Sequence, residues 1–180
     1  WRKSMADRES KWLSVRCWLC HQYRLFDDPD QSDNKFIRAV MDKEIEPRGI
    51  RNNNPLNIRK GSNWKGERPV QSDRAFEEFE SMTYGIRAGF IILQKYMNGY
   101  FGLTEKFNTI EKIISRWAPK SENNTQAYID QVARLTGIPA RQRLAFGQKN
   151  YMVAIVDAMI RVECGQPVDR KIIESAYDLV

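Results

Sequence analysis

The sequence predicts a mostly helical α+β domain with one small β-rich region early in the chain. Three observations lead there. From residue 82 onward, apolar residues recur at helical spacing in one segment after another. Between Arg48 and Phe79, three glycines, two prolines and five asparagines are interleaved with isolated apolar residues, a pattern of short strands and turns. The length of 180 residues is that of one domain with an appendage, and it allows a core large enough to fold without disulfides.

Residues 1–26 read as an amphipathic helix, with Trp12, Val15, Leu19 and Tyr23 near helical spacing. The polar run from Phe26 to Asn34 contains Pro29 and reads as a loop, so the expected division is an N-terminal helical extension with an acidic loop over 1–34 and a folded domain over 35–180. Phe36, Ile37, Val40 and Met41 suggest a short helix over 35–43 that stops before Pro47. After the β-region, Ile86, Phe90, Leu93 and Met97 step along one face of a helix over 82–98, with Ser81 as its N-cap. A second helix follows Thr109, carries Ile110, Ile113, Ile114 and Trp117, and ends at Pro119. A third starts near Asn123 or Asn124, carries Tyr128, Val132 and Leu135, and stops at Gly137. The segment 151–163 is apolar nearly all round and is expected to be the buried central helix, and a last helix is expected over 168–179.

Composition narrows the classes of function. Apolar residues make up 42% and charged residues 29%, as in an ordinary globular protein, and no stretch approaches the roughly 18 apolar residues of a membrane span. No signal peptide is visible, and the opening Trp1 is the start expected of a processed or trimmed product. The net charge of +6 favours an anionic partner. Its distribution argues against nucleic acid, because residues 1–26 carry six basic and two acidic side chains, 26–46 three and seven, and 47–74 seven and two. Cys17-Trp18-Leu19-Cys20-His21 spells the pattern of c-type haem attachment, but no second histidine completes bis-His ligation. A zinc site would need Cys17, Cys20, His21 and the distant Cys164 together. The expectation is therefore no haem, no metal and no cofactor, with the cysteines as small packing residues.

One residue invites chemistry. Glu163 follows twelve residues whose only charges are Asp157 and Arg161, and Cys164-Gly165 ends the helix directly after it. An acid forced into an apolar wall keeps its proton near neutrality, as a glycosidase acid must. Periodicity alone ranks a plainer reading first, a glutamate facing solvent in the last helical turn.

A resemblance shifts that order. Arg48-Gly49-Ile50-Arg51-Asn52-Asn53-Asn54-Pro55-Leu56-Asn57-Ile58-Arg59, Trp64-Lys65-Gly66, Phe76 to Phe79 and Tyr84-Gly85-Ile86-Arg87-Ala88, then Ile113 to Pro119, Ser121 to Thr125, Tyr128-Ile129 and Ile160-Arg161-Val162-Glu163, resemble a lysozyme-like family of phage and prophage proteins, some described as virion structural proteins. The likeness covers about residues 47–167 and leaves residues 1–46 outside. It implies kinship with lytic transglycosylases and flagellar-type glucosaminidases, in which a buried helix ending in a catalytic glutamate precedes the small β-region. Here the best such helix comes last, so the resemblance implies a circularly permuted lysozyme-like fold. Family members tend to show Glu-Asn-Gly where this chain has Glu163-Cys164-Gly165. The unpermuted alternatives, Glu46 and Glu44, precede Asn54 and rank second.

The resemblance implies cleavage of the β-1,4 glycan of peptidoglycan with Glu163 as general acid and then base. Tyr128 would bond an N-acetyl group or the leaving saccharide, with Asn54, Asn57, Glu122 and Asn123 as further substrate-binding residues. Trp64 and Trp117 are candidates to stack on sugar rings, although capping for Asn123 or Asn124 and core packing for a lone tryptophan are the plainer readings. Glu77, Glu78 and Glu80, alternating with Phe76 and Phe79, read as a solvated strand face and not as a nucleophile. A single-glutamate site suits a transglycosylase better than a two-carboxylate hydrolase. The expected setting is a virion or another device that penetrates the bacterial cell envelope. The rival classes are a virion structural or glycan-binding protein without turnover and, more remotely, a DNA-associated ejection protein. Geometrically, helix 151–163 should end against 50–79, placing Glu163 in a groove with Asn54, Asn57 and Tyr128.

Overall fold

A computed structural model describes residues 46–99, 105–120 and 124–180. The expected helices over 1–26 and 35–43, the loop between them, the Cys17-x-x-Cys20-His21 motif, Glu44, Glu122 and Asn123 lie outside the described residues. The rest is mostly helical: α1 (Arg48–Arg51), α2 (Met82–Asn98), α3 (Ile110–Trp117), α4 (Thr125–Thr136), α5 (Lys149–Cys164) and α6 (Arg170–Asp178).

Apolar spacing and caps explain the helices. Side-chain oxygens of Thr109, Asn124 and Asp169 accept backbone N–H bonds from Lys112, Ala127 and Lys171 at the starts of α3, α4 and α6. Ser81 holds the N-cap position of α2 without making such a bond, contrary to the expected role of its side chain. Gly99, Gly137 and Gly165 end α2, α4 and α5 in the left-handed conformation, where a Cβ is unfavourable.

Helix α5 is central. It packs against α1, α2, α4 and α6, while α3 rests on α4. Met152, Val153, Ile155, Val156, Met159 and Ile160 are fully enclosed, but Tyr151 and Arg161 mark a solvent-facing edge. Within α4, Tyr128, Ile129 and Val132 join the core, whereas Leu135, expected on the same face, is exposed.

The expected β-region holds no regular strand among the described residues. Two isolated antiparallel bridges, Arg59 with Phe76 and Glu67 with Phe79, are all that forms. Side chains do much of the bonding that a ladder would do. Asn54 is fully buried, with its amide donating to the carbonyls of Ile58 and Glu77 (2.9 Å each) and its carbonyl accepting from the Ile58 N–H. The expected solvated face of Glu77, Glu78 and Glu80 is also corrected, since Glu77 and Glu78 are buried and only Glu80 is exposed. Burial, reinforced by nearby Glu67, raises the Glu77 carboxyl above its ordinary range. Burial pushes Glu78 the same way, yet the Asp73 N–H at 2.8 Å and the Ser72 hydroxyl at 3.0 Å hold it below that range.

Asp73 anchors this region. The Arg48 guanidinium donates to both its oxygens (2.5 and 2.6 Å), the Asn52 amide adds a bond of 2.8 Å, and the Ala75 and Phe76 N–H groups donate as well. Against the opposing effect of burial, Arg48 above all holds the carboxyl well below the usual carboxylate range. A lowered folded value means that ionised Asp73 stabilises the fold above the unfolded value of about 3.9 and loses that contribution as pH falls through the folded value. Asp73→Asn is expected to cost about 2 kcal/mol near neutral pH, because bonds to a charged group are lost. Its penalty should shrink below about pH 4. Chemical denaturation across pH checks this, and a penalty unchanged at low pH would contradict it.

Candidate functional site

The Asn52–Asn57 turn is shaped by two non-glycine residues in the left-handed region, Asn53 at φ 52° and Asn57 at φ 50°, a conformation that asparagine tolerates better than most residues. It is pressed against two helices. A Cβ on Gly85 of α2 would fall 1.9 Å from the Asn53 carbonyl oxygen, and one on Gly89 would fall 2.1 Å from Leu56. On the other side, a Cβ on Gly49 would stand 2.8 Å from Cys164 Sγ and 3.1 Å from Asn57 Oδ1. Glycine is therefore needed where α1 meets the end of α5.

That junction delivers Glu163. Its half-buried carboxyl accepts three hydrogen bonds: from Asn57 Nδ2 to Oε2 at 3.0 Å, and to Oε1 from Trp117 Nε1 at 3.2 Å and Tyr128 Oη at 3.1 Å. The donors come from the turn, the end of α3 and the first turn of α4. A carboxylate has about four acceptor sites, so one remains, on Oε2. Burial, and then the charge of Glu163, raises the Tyr128 phenol well above its ordinary value, so it remains a proton donor.

Cys164 locks the same corner. Its buried thiol donates to the Pro55 carbonyl at 3.1 Å, and burial followed by Glu163 pushes it up to about 11. Cys164 is thus a protonated clasp beside Glu163, not a nucleophile.

A groove of about 400 Å³ shares Asn57 and Trp117 with this cluster, but neither Glu163 nor Tyr128 lines it, so the expected groove formed by Glu163, Asn54, Asn57 and Tyr128 is met only at Asn57. Trp64 stands in its wall with Lys95 Nζ 5.9 Å from the ring centroid, and the Trp64 indole N–H is buried without a hydrogen-bond partner. Asn57, Trp117, Tyr128 and Glu163 are therefore gathered, and Trp64 lies nearby. Asn54 is not on the groove, because its side chain is enclosed and bonded to backbone. Tyr128 is only 8% exposed and bonds Glu163, which assigns it to positioning the carboxyl instead of gripping a saccharide. Glu46 is half-buried just ahead of Pro47. Sequence reasoning did not single out Arg59, Lys95 and Arg116, which also line the groove, or Gly49. Spacing carried no signal for the three cations, since they meet only in the fold.

Tyr128→Phe separates the two roles. If the domain turns over glycan, a positioning residue predicts kcat about ten-fold lower with KM nearly unchanged, whereas a saccharide contact predicts a raised KM. Steady-state kinetics on soluble glycan fragments read the difference.

The described residues thus define a mostly helical domain in which three side chains hold one glutamate, two of them also lining a groove. No protein-family model matches the chain. It is similar to Protein P5 of Pseudoalteromonas phage PM2, with 48% identity over 122 residues that make up 66% of this chain and 71% of that protein. The chain belongs to the family of this phage protein. Among the described residues, no helix is long and apolar enough to cross a membrane.

Proposed function

We propose that this domain cleaves the glycan strand of peptidoglycan, with Glu163 as general acid and then base, on a permuted lysozyme-like fold. The observation that carries the reading is the convergence of Asn57, Trp117 and Tyr128 on Glu163, two of which, Asn57 and Trp117, also line a groove of about 400 Å³. General acid catalysis needs a carboxyl fixed in one orientation with a position left for the substrate oxygen. Three bonds fix it, and the fourth site on Oε2 is that position. Protonated Glu163 gives its proton to the glycosidic oxygen as the bond to C1 breaks. As carboxylate it then takes the proton of the 6-hydroxyl of the same sugar, which closes on C1 to an anhydro product. Water in place of that hydroxyl gives hydrolysis. No metal or cofactor enters either route.

The kinship with a phage protein supports a virion as the setting, and on the proposed reading the partners are peptidoglycan and other virion components. A glycan-binding virion protein without turnover is the second reading, favoured by the same three bonds, which equally describe a carboxylate used to pin the turn, α3 and α4 together. Mass spectrometry of purified peptidoglycan after incubation with the protein decides. Anhydro ends indicate a transglycosylase and new reducing ends a hydrolase, whereas an unaltered strand that retains the protein supports the second reading.

A further inference from the structure

Trp117 and Tyr128 come from different helices yet donate to the same oxygen, Oε1 of Glu163, at 3.2 and 3.1 Å. Trp117 is the last residue of α3, and Tyr128 stands in the first turn of α4. Two such donors meet one atom only if the end of α3 and the start of α4 keep a fixed separation, since bonds of this length fail after a further shift of about half an ångström. Burial of Ile113, Ile114, Ile129 and Val132 holds both helices to the core, but that attraction is non-directional. Thr125 stands where the two ends meet. Its hydroxyl donates to the Ala118 carbonyl at 2.6 Å, and both residues are buried. Ala118 directly follows Trp117 as the C-cap of α3, and Thr125 is the first residue of α4. The Ala118 carbonyl lies past the last turn of α3, where no residue of that helix can donate to it. The start of α4 does not depend on this hydroxyl, because Asn124 already accepts the Ala127 N–H. The bond is therefore a tie between the two helices and not a part of either.

We infer that Thr125 is a positioning residue, whose hydroxyl ties the end of α3 to the start of α4 and so sets Trp117 and Tyr128 on one oxygen of Glu163. Thr125 bonds the Ala118 carbonyl and does not line the groove, so it acts through these two donors. The consequence for turnover rests on the proposed function, whereas the placement of the donors does not.

The test uses the full chain with Thr125→Val, which keeps the shape and removes the hydroxyl, and Thr125→Ser, which restores it. Thr109→Val is the control, since it removes the N-cap at the far end of α3 and lowers stability without altering the end that carries Trp117. The nitrogen–proton NMR signal of the Trp117 indole, assigned by its loss in Trp117→Phe, is read first. Thr125→Val is expected to shift this signal and to speed its exchange with solvent about ten-fold, as loss of one ordinary hydrogen bond does. Thr125→Ser should restore both, and Thr109→Val should leave both in place while lowering the denaturation midpoint. An indole signal unmoved by Thr125→Val, or moved equally by Thr109→Val, overturns the inference. Should Thr125→Val not fold, Thr125→Ala, which also lacks the hydroxyl, is read against the same outcomes. Kinetics on soluble glycan fragments then give the consequence, kcat about five-fold lower in Thr125→Val with KM nearly unchanged and recovery in Thr125→Ser. A wild type that cleaves no glycan removes the proposed activity and leaves the indole signal to decide on Thr125. Where the wild type does cleave, an unchanged kcat in Thr125→Val overturns the inference while the activity stands.

Discussion

Glu163→Gln is expected to lower glycan cleavage by about 10²–10⁴-fold while leaving the fold in place. The amide preserves shape but has no proton to give. Its tolerance in the fold follows from the bonds around it. The Gln carbonyl oxygen can replace Oε1 as acceptor for Trp117 and Tyr128, and its NH2 group would then face Asn57. Asn57 can rotate its own amide to present an oxygen, so no buried donor is left opposed to another donor. Lysis assays with a circular-dichroism melt on the same sample check both halves. Near wild-type lysis would remove Glu163 from the mechanism, and activity lost in Glu46→Gln or Glu44→Gln instead would restore an unpermuted order of parts.

Gly85→Ala is expected to destabilise the domain by about 2–3 kcal/mol, although alanine is ordinarily the better helix former by about 1 kcal/mol. The added Cβ would fall 1.9 Å from a backbone carbonyl, that of Asn53, and 3.1 Å from the Phe79 ring. A backbone oxygen cannot rotate away as a side chain can. Asn53 is also tied by its left-handed φ and by its amide bond to the Phe79 carbonyl at 2.9 Å, so the turn must move as a unit and carry Asn57 off Glu163. Loss of stability and loss of activity should therefore appear together. Gly147→Ala, where nothing lies within 4 Å of the new Cβ, serves as the control and should leave the denaturation midpoint unchanged.

How much could be read beforehand differs by element, for physical reasons. The helices α2, α4 and α5 were legible because a one-sided or all-round apolar pattern and a terminal glycine act locally, and Gly137 and Gly165 stop the chain where they were expected to. The meeting of Glu163 with the Asn-rich turn was legible as geometry, since an enclosed helix must end against the one sizeable non-helical segment. Burial of Glu77 and Glu78 was not, because alternation with phenylalanine looks the same whether a carboxylate meets water or a cage of N–H donors. Asn54 was misplaced for a related reason. An asparagine that closes a turn and one that faces a ligand have the same letter, and only the carbonyls of Ile58 and Glu77 distinguish them. The cations of the groove come from three separate segments, so no local pattern could announce them.

Asn57 and Glu163 stand 106 positions apart, and Glu163 belongs to the second-to-last helix. During synthesis, the turn, Trp117 and Tyr128 emerge long before the acceptor that unites them. Contacts of such sequence separation form late and slowly, after local helices are in place. A nascent or truncated chain that stops before α5 therefore holds the three donors with nothing between them. The carboxyl reaches the turn, Trp117 and Tyr128 only once α5 has been made, so the cluster is assembled by long-range closure of the fold itself.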